Sequence, residues 1–407
     1  MSPADAFLPD RRRANIEDDM DFDFDSNQQA LRDSIRRYLK AEVAPRIDAC
    51  EAERRIPQDV LQGLAQFGYI GGLLPEEAGG FDLDFVTWAM MVEEAGYCWG
   101  SLRTIVNITN IFLRIVQGHG TAQQRERFLA PVLASEKGVC VAISEPNHGS
   151  NVAGIECRAD DRGDHYLLNG SKLWITNGVN ADYAIVLART YSDACAGKPS
   201  LFLVERAASP YAARLVDKMV LKASGTAELS FDDVRVPKEN LLGAEGVALK
   251  TMLTGLNYGR LNIAMGAVGA AQAALDLSVE YARTRRQFGR PIGEFQLIQK
   301  HIVDMMVRTE AARALGYKAA AAMQKGQPAR IECSIAKLYA AEAAHEVARI
   351  ALSVHGGLGY STEYPLERIF RDTSGGVIPE GTAEVQTLIV GREVLGMSAI
   401  NAAEHKA

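Results

Sequence analysis

The sequence predicts an α+β multidomain fold: a helical domain, then a β domain, then a four-helix-type bundle. Three observations predict it. Apolar residues recur three or four apart in the first part of the chain, the middle divides into short runs rich in Val, Ile, Leu and aromatics, and the helical period returns after Gly246. The expected divisions are a flexible tail at 1–25, a helical domain at 26–137, a β domain at 138–245 and a helical bundle domain at 246–407. The tail sets Arg11, Arg12 and Arg13 before a run of aspartates ending at Asp25, a composition expected to stay solvated and poorly ordered.

From Ser26, which can cap a helix, Leu31, Ile35, Tyr38, Leu39, Val43 and Ile47 share one helical face. A second pattern follows Pro57 with Val60, Leu61, Leu64 and Phe67, and after the turn-rich LLPEEAGGFDLD a third begins near Phe85. From Val139 the texture changes: CVAIS, YLLNGSKLWITNG, YAIVLART, SLFLVE and AELSFDDVRV read as strands. In the last of these Leu229, Phe231 and Val234 point toward a core between polar positions. Leu261 to Arg283, Gln296 to Lys325 and Arg330 to Val354 are helical, and alanine-rich stretches such as AKLYAAEAAHEVA suit helices that pack closely against antiparallel neighbours.

With 407 residues, 47% hydrophobic and 23% charged, the chain has the composition of a globular protein. A formal net charge of -7 argues against non-specific binding to nucleic acid or an anionic membrane, both of which require a basic surface, and favours a small-molecule or protein partner. Six cysteines are scattered without a CxxC pair, so neither a metal site nor a disulfide framework is expected, and the thiols read as free in a reducing compartment. Apolar runs all fall short of the roughly 18 residues that cross a bilayer, and the start lacks a secretory profile, so the expected location is the cytoplasm or an equivalent matrix.

The most informative stretch is HGGLGYSTEYPLERIFRDTSGGVIPEGTAEVQ. Gly356 and Gly357 let a backbone approach a ligand closely, though such a pair also reads as a helix stop. Glu380 taken alone reads as a glutamate favoured at a helix start, Trp174 as a strand core residue, His148 as a loop histidine without a catalytic task, and Arg103 as a structural arginine. Residues alone leave these alternatives open.

Six segments in order, AISEPNHGSNVAGIECRA, LNGSKLWITNG, SFDDVRVPKENLLG, YARTRRQFGRPIGEFQ, HGGLGYSTEYPLERIFRD and PEGTAEVQ, make the chain resemble the acyl-CoA dehydrogenase family from about Ser26 to Met397. The resemblance implies an N-terminal all-α domain, a β-barrel-like middle domain and a C-terminal four-helix bundle. It also implies a homotetramer built as a dimer of dimers, with FAD between the middle and C-terminal domains and a neighbouring subunit completing its site. Glu380, in the EGT motif, would be the catalytic base that takes the α proton of an acyl thioester. That chemistry needs a carboxylate in a water-excluded slot, where burial raises its pKa. Gly259 stands where some members carry their base on an earlier helix, which leaves Glu380 as the candidate. Asn257 and Arg260 would hold the substrate region.

For the cofactor, the resemblance assigns Ser144 and Ser150 to flavin contacts, Ser150 also lying near the thioester. Trp174 would cover the flavin ring and the Thr176 hydroxyl would lie near its hydride-accepting nitrogen. Arg285, Gln287 and Phe288 would meet the pyrophosphate and adenine across the dimer, a task suited to the rigid fork of arginine. Gly356, Gly357, Thr382 and Glu384 would complete the site. Asn151, His148 and Ser353 depart from the family pattern.

The implied reaction is FAD-dependent α,β-dehydrogenation of a short or branched acyl-CoA, with an electron-transfer flavoprotein as electron acceptor. The alternative is a glutaryl-CoA-type substrate whose distal carboxylate pairs with Arg103, although Gly96, Asn107 and Pro379 depart from that subfamily. A carrier-protein thioester, a flavin oxidase, and a non-catalytic or nucleic-acid-associated relative are further readings; the acidic charge and Glu380 oppose the last.

Overall fold

The structure, a computed structural model, describes residues 24–399. Most of the expected flexible tail therefore lies outside the described residues. The first helix, α1 (Ser26–Tyr38), is capped by Asp25 rather than Ser26. Asp25 keeps extended backbone and its carboxylate accepts from the Asn27 and Gln28 amides at 2.8 Å each, while the Gln28 side chain returns a bond to the Asp25 amide; Ser26 is already helical. The helical path continues through a π turn at Leu39–Val43 and a 3-10 turn at Ala44–Arg46 into α2 (Ile47–Glu53). Pro45 lacks the amide a regular helix would need at this point. Ile35, Leu39, Val43 and Ile47 stay on one buried face throughout.

Next come α3 (Gln58–Ala65), α4 (Phe85–Cys98), α5 (Gly100–His119) and α6 (Ala122–Leu133). From Thr87 to Gly96, α4 is buried on every side, and two of its carboxylates anchor neighbours. Glu94 accepts from Arg32 Nε at 2.6 Å and Arg36 Nε at 2.7 Å, both on α1.

The middle region holds β1 (Val139–Ala142), β2 (Arg158–Asp161), β3 (His165–Ile175), β4 (Tyr183–Tyr191), β5 (Ala196–Glu205), β6 (Ala212–Leu215), β7 (Ala227–Pro237) and β8 (Leu241–Leu242). The hydrogen-bonded path runs β6-β7-β3-β2-β4-β5-β8, with β1 parallel to β4. Ala184, Val186, Phe202 and Val204 join Leu168 and Leu229 in an interior cluster, while Ile185, Leu187 and Leu203 face α5 and α6. Burial on both faces explains why YAIVLART is continuously apolar instead of alternating. Between Phe231 and Val234 the pairing with β3 shifts register, so inward residues there are three apart rather than two. The sequence patterns miss β2 and β6 because RADD and AARL carry little apolar signal on a partly exposed face.

The last region begins with α7 (Ala248–Thr284) and passes through the hairpin of β9 (Arg286–Gln287) and β10 (Arg290–Pro291) to α8 (Gln296–Gln324) and α9 (Arg330–His355). α10 (Leu366–Ser374) and α11 (Ala383–Leu395) pack on α9. α8 is also tied to α4, since Glu93 accepts from Arg313 Nε at 3.0 Å and from the Tyr317 hydroxyl at 2.8 Å. Where α4 crosses α7 the backbones nearly touch: a Cβ at Gly269 would lie 2.0 Å from the Glu93 carbonyl oxygen, and one at Gly96 would lie 2.3 Å from that of Gly266. Glycine is required at this crossing.

Candidate active site

Glu380 sits between α10 and α11 with φ at 58°, followed by Gly381 at 90°. Two successive left-handed residues reverse the chain just before Thr382, whose side chain caps α11 by accepting from the Val385 amide. A left-handed glutamate is uncommon and persists only where its surroundings hold it. Here Gln386 Nε2 donates to the Glu380 and Gly381 carbonyls at 2.9 and 3.0 Å, and Lys337 Nζ donates to the Val377 and Gly381 carbonyls at 2.8 and 2.7 Å.

The Glu380 carboxyl lies against α7, in the space Gly259 leaves open. A Cβ at that position would be 2.4 Å from Glu380 Cδ. Asn107 on α5 donates to Oε1 at a long 3.4 Å. The residue as a whole is only half-buried, yet burial of its carboxyl group is the largest influence on its pKa and raises it; Asn107 and the charges of Arg260, Arg103 and Lys337 act in the opposite direction. The arrangement is that of a carboxylate kept reactive by partial desolvation.

Arg103 is 7% exposed and its guanidinium makes no hydrogen bond or ion pair with another described residue. Burial lowers its pKa to about 10, against the opposing pull of Glu380 and Asp372. Its side chain passes Gly266 and lines a cavity of about 750 Å³ together with Gly96, Trp99, Ile263 and Asp372. Glu380 does not line this cavity; Arg103 faces both. Arg260, also buried, donates to Asn257 Oδ1 at 2.9 Å, and Asn257 donates to the Pro328 carbonyl at 2.7 Å. Those two residues therefore brace α7 against the start of α9.

The residues assigned to the cofactor form two further groups. Trp174, the penultimate residue of β3, has φ at 65° and is 59% exposed, so it is not the core tryptophan that a strand position suggests. Thr176, just beyond the end of β3, is half-buried, and Ser144 lies alongside the strand because its carbonyl accepts from the Leu173 amide at 2.9 Å. Ser150 is exposed on the loop between β1 and β2. His148 stands on the same loop, 3.3 Å from a Glu156 carboxyl oxygen.

The second group, Arg285, Gln287 and Phe288, is on the exposed hairpin after α7, where Phe288 is 92% exposed. Gly356, with φ at 60°, and Gly357 are exposed at the end of α9, and a Cβ at Gly356 would meet no atom within 4 Å. Glu384 is exposed in the first turn of α11. An exposed indole two residues before Thr176, a glycine pair with room for close approach and an Arg285 guanidinium with no partner among the described residues fit a flat, phosphate-bearing group such as FAD. No hydrogen bond or ring contact among the described residues joins the hairpin or the glycine pair to Trp174.

Sequence reasoning missed what five residues contribute. Lys337 and Gln386 hold the Glu380 loop, Gly259 makes room for the carboxyl, and the buried Lys172–Glu145 pair fixes the β1–β2 loop. Glu145 accepts from Lys172 Nζ at 2.7 Å and from the Glu156 and Cys157 amides at 2.6 and 2.9 Å. A signal was present for both lysines: Lys172 falls at an inward strand position and Lys337 among buried alanines.

Family models cover nearly the whole chain: the acyl-CoA dehydrogenase N-terminal domain matches residues 25–136, the middle domain 140–234 and the C-terminal domain 249–395. The chain is 36% identical over 377 residues to the mitochondrial isovaleryl-CoA dehydrogenase of Oryza sativa subsp. japonica, covering 91% of this chain and 92% of that protein. It is 36% identical over 390 residues to the glutaryl-CoA dehydrogenase of Desulfococcus multivorans, covering 94% and 100%. A solved glutaryl-CoA dehydrogenase from Mycobacterium smegmatis in complex with FADH2 superposes with a TM-score of 0.87 at 27% identity, covering 93% of this chain and 97% of that one. With this sequence coverage and a fold to match, the chain belongs to the acyl-CoA dehydrogenase family of FAD-dependent oxidoreductases.

Proposed function

We propose that the chain oxidises a short or branched acyl-CoA to its α,β-unsaturated thioester, with Glu380 as the base. The observation that carries this reading is the Glu380 carboxyl itself, seated against Gly259 and raised in pKa by burial. In the reaction Glu380 accepts the α proton. Its backbone amide makes no hydrogen bond with another described residue, so it is free to donate to the thioester carbonyl and stabilise developing negative charge. Arg260 and Asn257 hold α7 where the carboxyl meets substrate.

FAD, when bound, supplies the acceptor for the β hydride. Trp174, Thr176, Ser144 and Ser150 would hold its ring end. Arg285, Gln287, Phe288, Gly356, Gly357, Thr382 and Glu384 would serve the rest, some of them from a neighbouring subunit of a tetramer. An electron-transfer flavoprotein is the proposed acceptor of the electrons, and the cytoplasm or an equivalent matrix the proposed location. No helix among the described residues is long and apolar enough to cross a membrane.

The test is Glu380→Gln. The variant should bind FAD normally, yet anaerobic bleaching of the flavin by acyl-CoA should slow by roughly a thousandfold or more. Bleaching at the parent rate would reject the assignment. A second reading is favoured by one observation, the unpaired Arg103 guanidinium facing a large cavity: a dicarboxylic, glutaryl-type substrate would neutralise it. Anaerobic titration with butyryl-, isovaleryl- and glutaryl-CoA separates the two, since preference for glutaryl-CoA would displace the monocarboxyl reading.

A further inference from the structure

We propose that Lys337 is a positioning residue: from α9 it clamps, together with Gln386, the loop that carries Glu380, and its charge adds to those of Arg260 and Arg103 in favouring the ionised carboxyl that can accept a proton. The proposal rests on Glu380 being the base.

Lys337 is 0% exposed among Ala336, Ala340 and Ala341, and no carboxylate among the described residues lies within ion-pairing distance. Burying an ammonium group against neutral partners is costly, so its place on an alanine-lined face calls for a reason. The partners supply one. Nζ donates to the carbonyls of Val377 and Gly381, which flank Glu380 on either side. Gln386, also fully buried, donates to the carbonyls of Glu380 and Gly381. Two side chains from two helices thus fix three carbonyls around a glutamate in the left-handed region.

The charges act alongside the geometry. Glu380 is faced by Arg103 from α5, by Tyr258 and Arg260 from α7 and by Lys337 from α9. Lys337 in turn is faced by Glu380, Glu384, Glu342 and Arg260. Burial raises Glu380 and lowers Lys337 to about 8, so each is desolvated and each favours the charged form of the other. Arg103 lines a cavity, whereas Lys337 is bonded to the Glu380 loop and keeps its position relative to the carboxyl when substrate enters.

Removing this cation would raise the Glu380 pKa, and a base works only while ionised. Rate would therefore be lost most at low pH and recovered as pH rises. With holoenzyme and the fastest of butyryl-, isovaleryl- and glutaryl-CoA, anaerobic flavin reduction by Lys337→Met should show its acid limb displaced to higher pH, with the rate loss greatest at the low end of the profile and the parent rate approached at the high end. Gln386→Met removes two neutral hydrogen bonds, and its loss should be the same factor at every pH. A flat loss or none in Lys337→Met, or an equal displacement of the acid limb in Gln386→Met, overturns the proposal. If Lys337→Met does not fold, Lys337→Gln and Gln386→Met carry the same comparison. Glu380→Gln separates the two failures: a nearly inactive Glu380→Gln with an unmoved acid limb in Lys337→Met sinks only the clamp, while an active Glu380→Gln sinks the base.

Discussion

Gly259 governs where Glu380 can stand. Any side chain there would occupy the carboxyl's position, so the residue's value lies in its missing Cβ. Gly259→Ala should keep FAD but slow flavin reduction by roughly a hundredfold, the scale expected for displacing a catalytic group by about 1 Å. Stopped-flow reduction at saturating acyl-CoA checks this, and an unchanged rate would mean that the carboxyl works from elsewhere. Asp372 makes a prediction about pH. Its carboxyl accepts from the Leu221 amide at 2.6 Å, and burial pushes its pKa up to about 7, reinforced by the charge of Glu51 and opposed by that amide and by Arg371 and Arg368. The folded chain keeps this proton to higher pH than the unfolded chain, so this group's contribution to stability falls as pH rises from about 4 to 7 and is flat above. Asp372→Asn should therefore raise the melting temperature at pH 8, by an effect of at most about 4 kcal/mol, and change it little near pH 4. Equal gains at both pH values would refute the linkage.

Among elements, α4 joins the two helical regions. Glu94 receives two arginines from α1, and Glu93 receives Arg313 and Tyr317 from α8, all at a helix buried on every side. Glu94→Gln leaves two guanidinium groups short of their shared partner and should destabilise the protein by about 3 kcal/mol, read as a lower denaturation midpoint. A midpoint within error of the parent would show that the pairs contribute nothing net. The same helix shows what patterns miss at this scale. Its burial on every side follows from the crossing with α7 at Gly96, Gly266 and Gly269, and nothing in those isolated glycines announces a shared contact. The Ser26 cap failed for a similar local reason: Asp25 and Ser26 are both competent caps, and the Gln28 return bond selects the first.

For the whole molecule, α8 exposes Leu297, Val303, Met306 and Val307, and the hairpin exposes Phe288. Val303, Met306 and Val307 recur at three- and four-residue intervals and so form a stripe on one helix face, the pattern of a surface covered by another copy. We expect the purified holoprotein to sediment as a tetramer. Val307→Glu should yield smaller species that also lose FAD, as the proposal that the hairpin and glycine pair of one subunit serve the site of another requires. A monomer retaining full FAD would contradict this.

Periodicity was enough to place the helical regions and the main strands, since burial of apolar side chains imposes spacing that any reader of the chain can see. The motifs draw attention to Glu380 and Trp174 through residue type alone, and the structure seats the first against Gly259 and leaves the second exposed. Only the tertiary structure decided that Asn107, Gly259, Lys337, Glu380 and Gln386 meet in one place, because contacts between residues far apart in the chain leave no mark on local spacing. It also decided which lysines would be buried and what each would hold. Desolvation and charge act through space, and the positions through which they act exist only once the helices have packed.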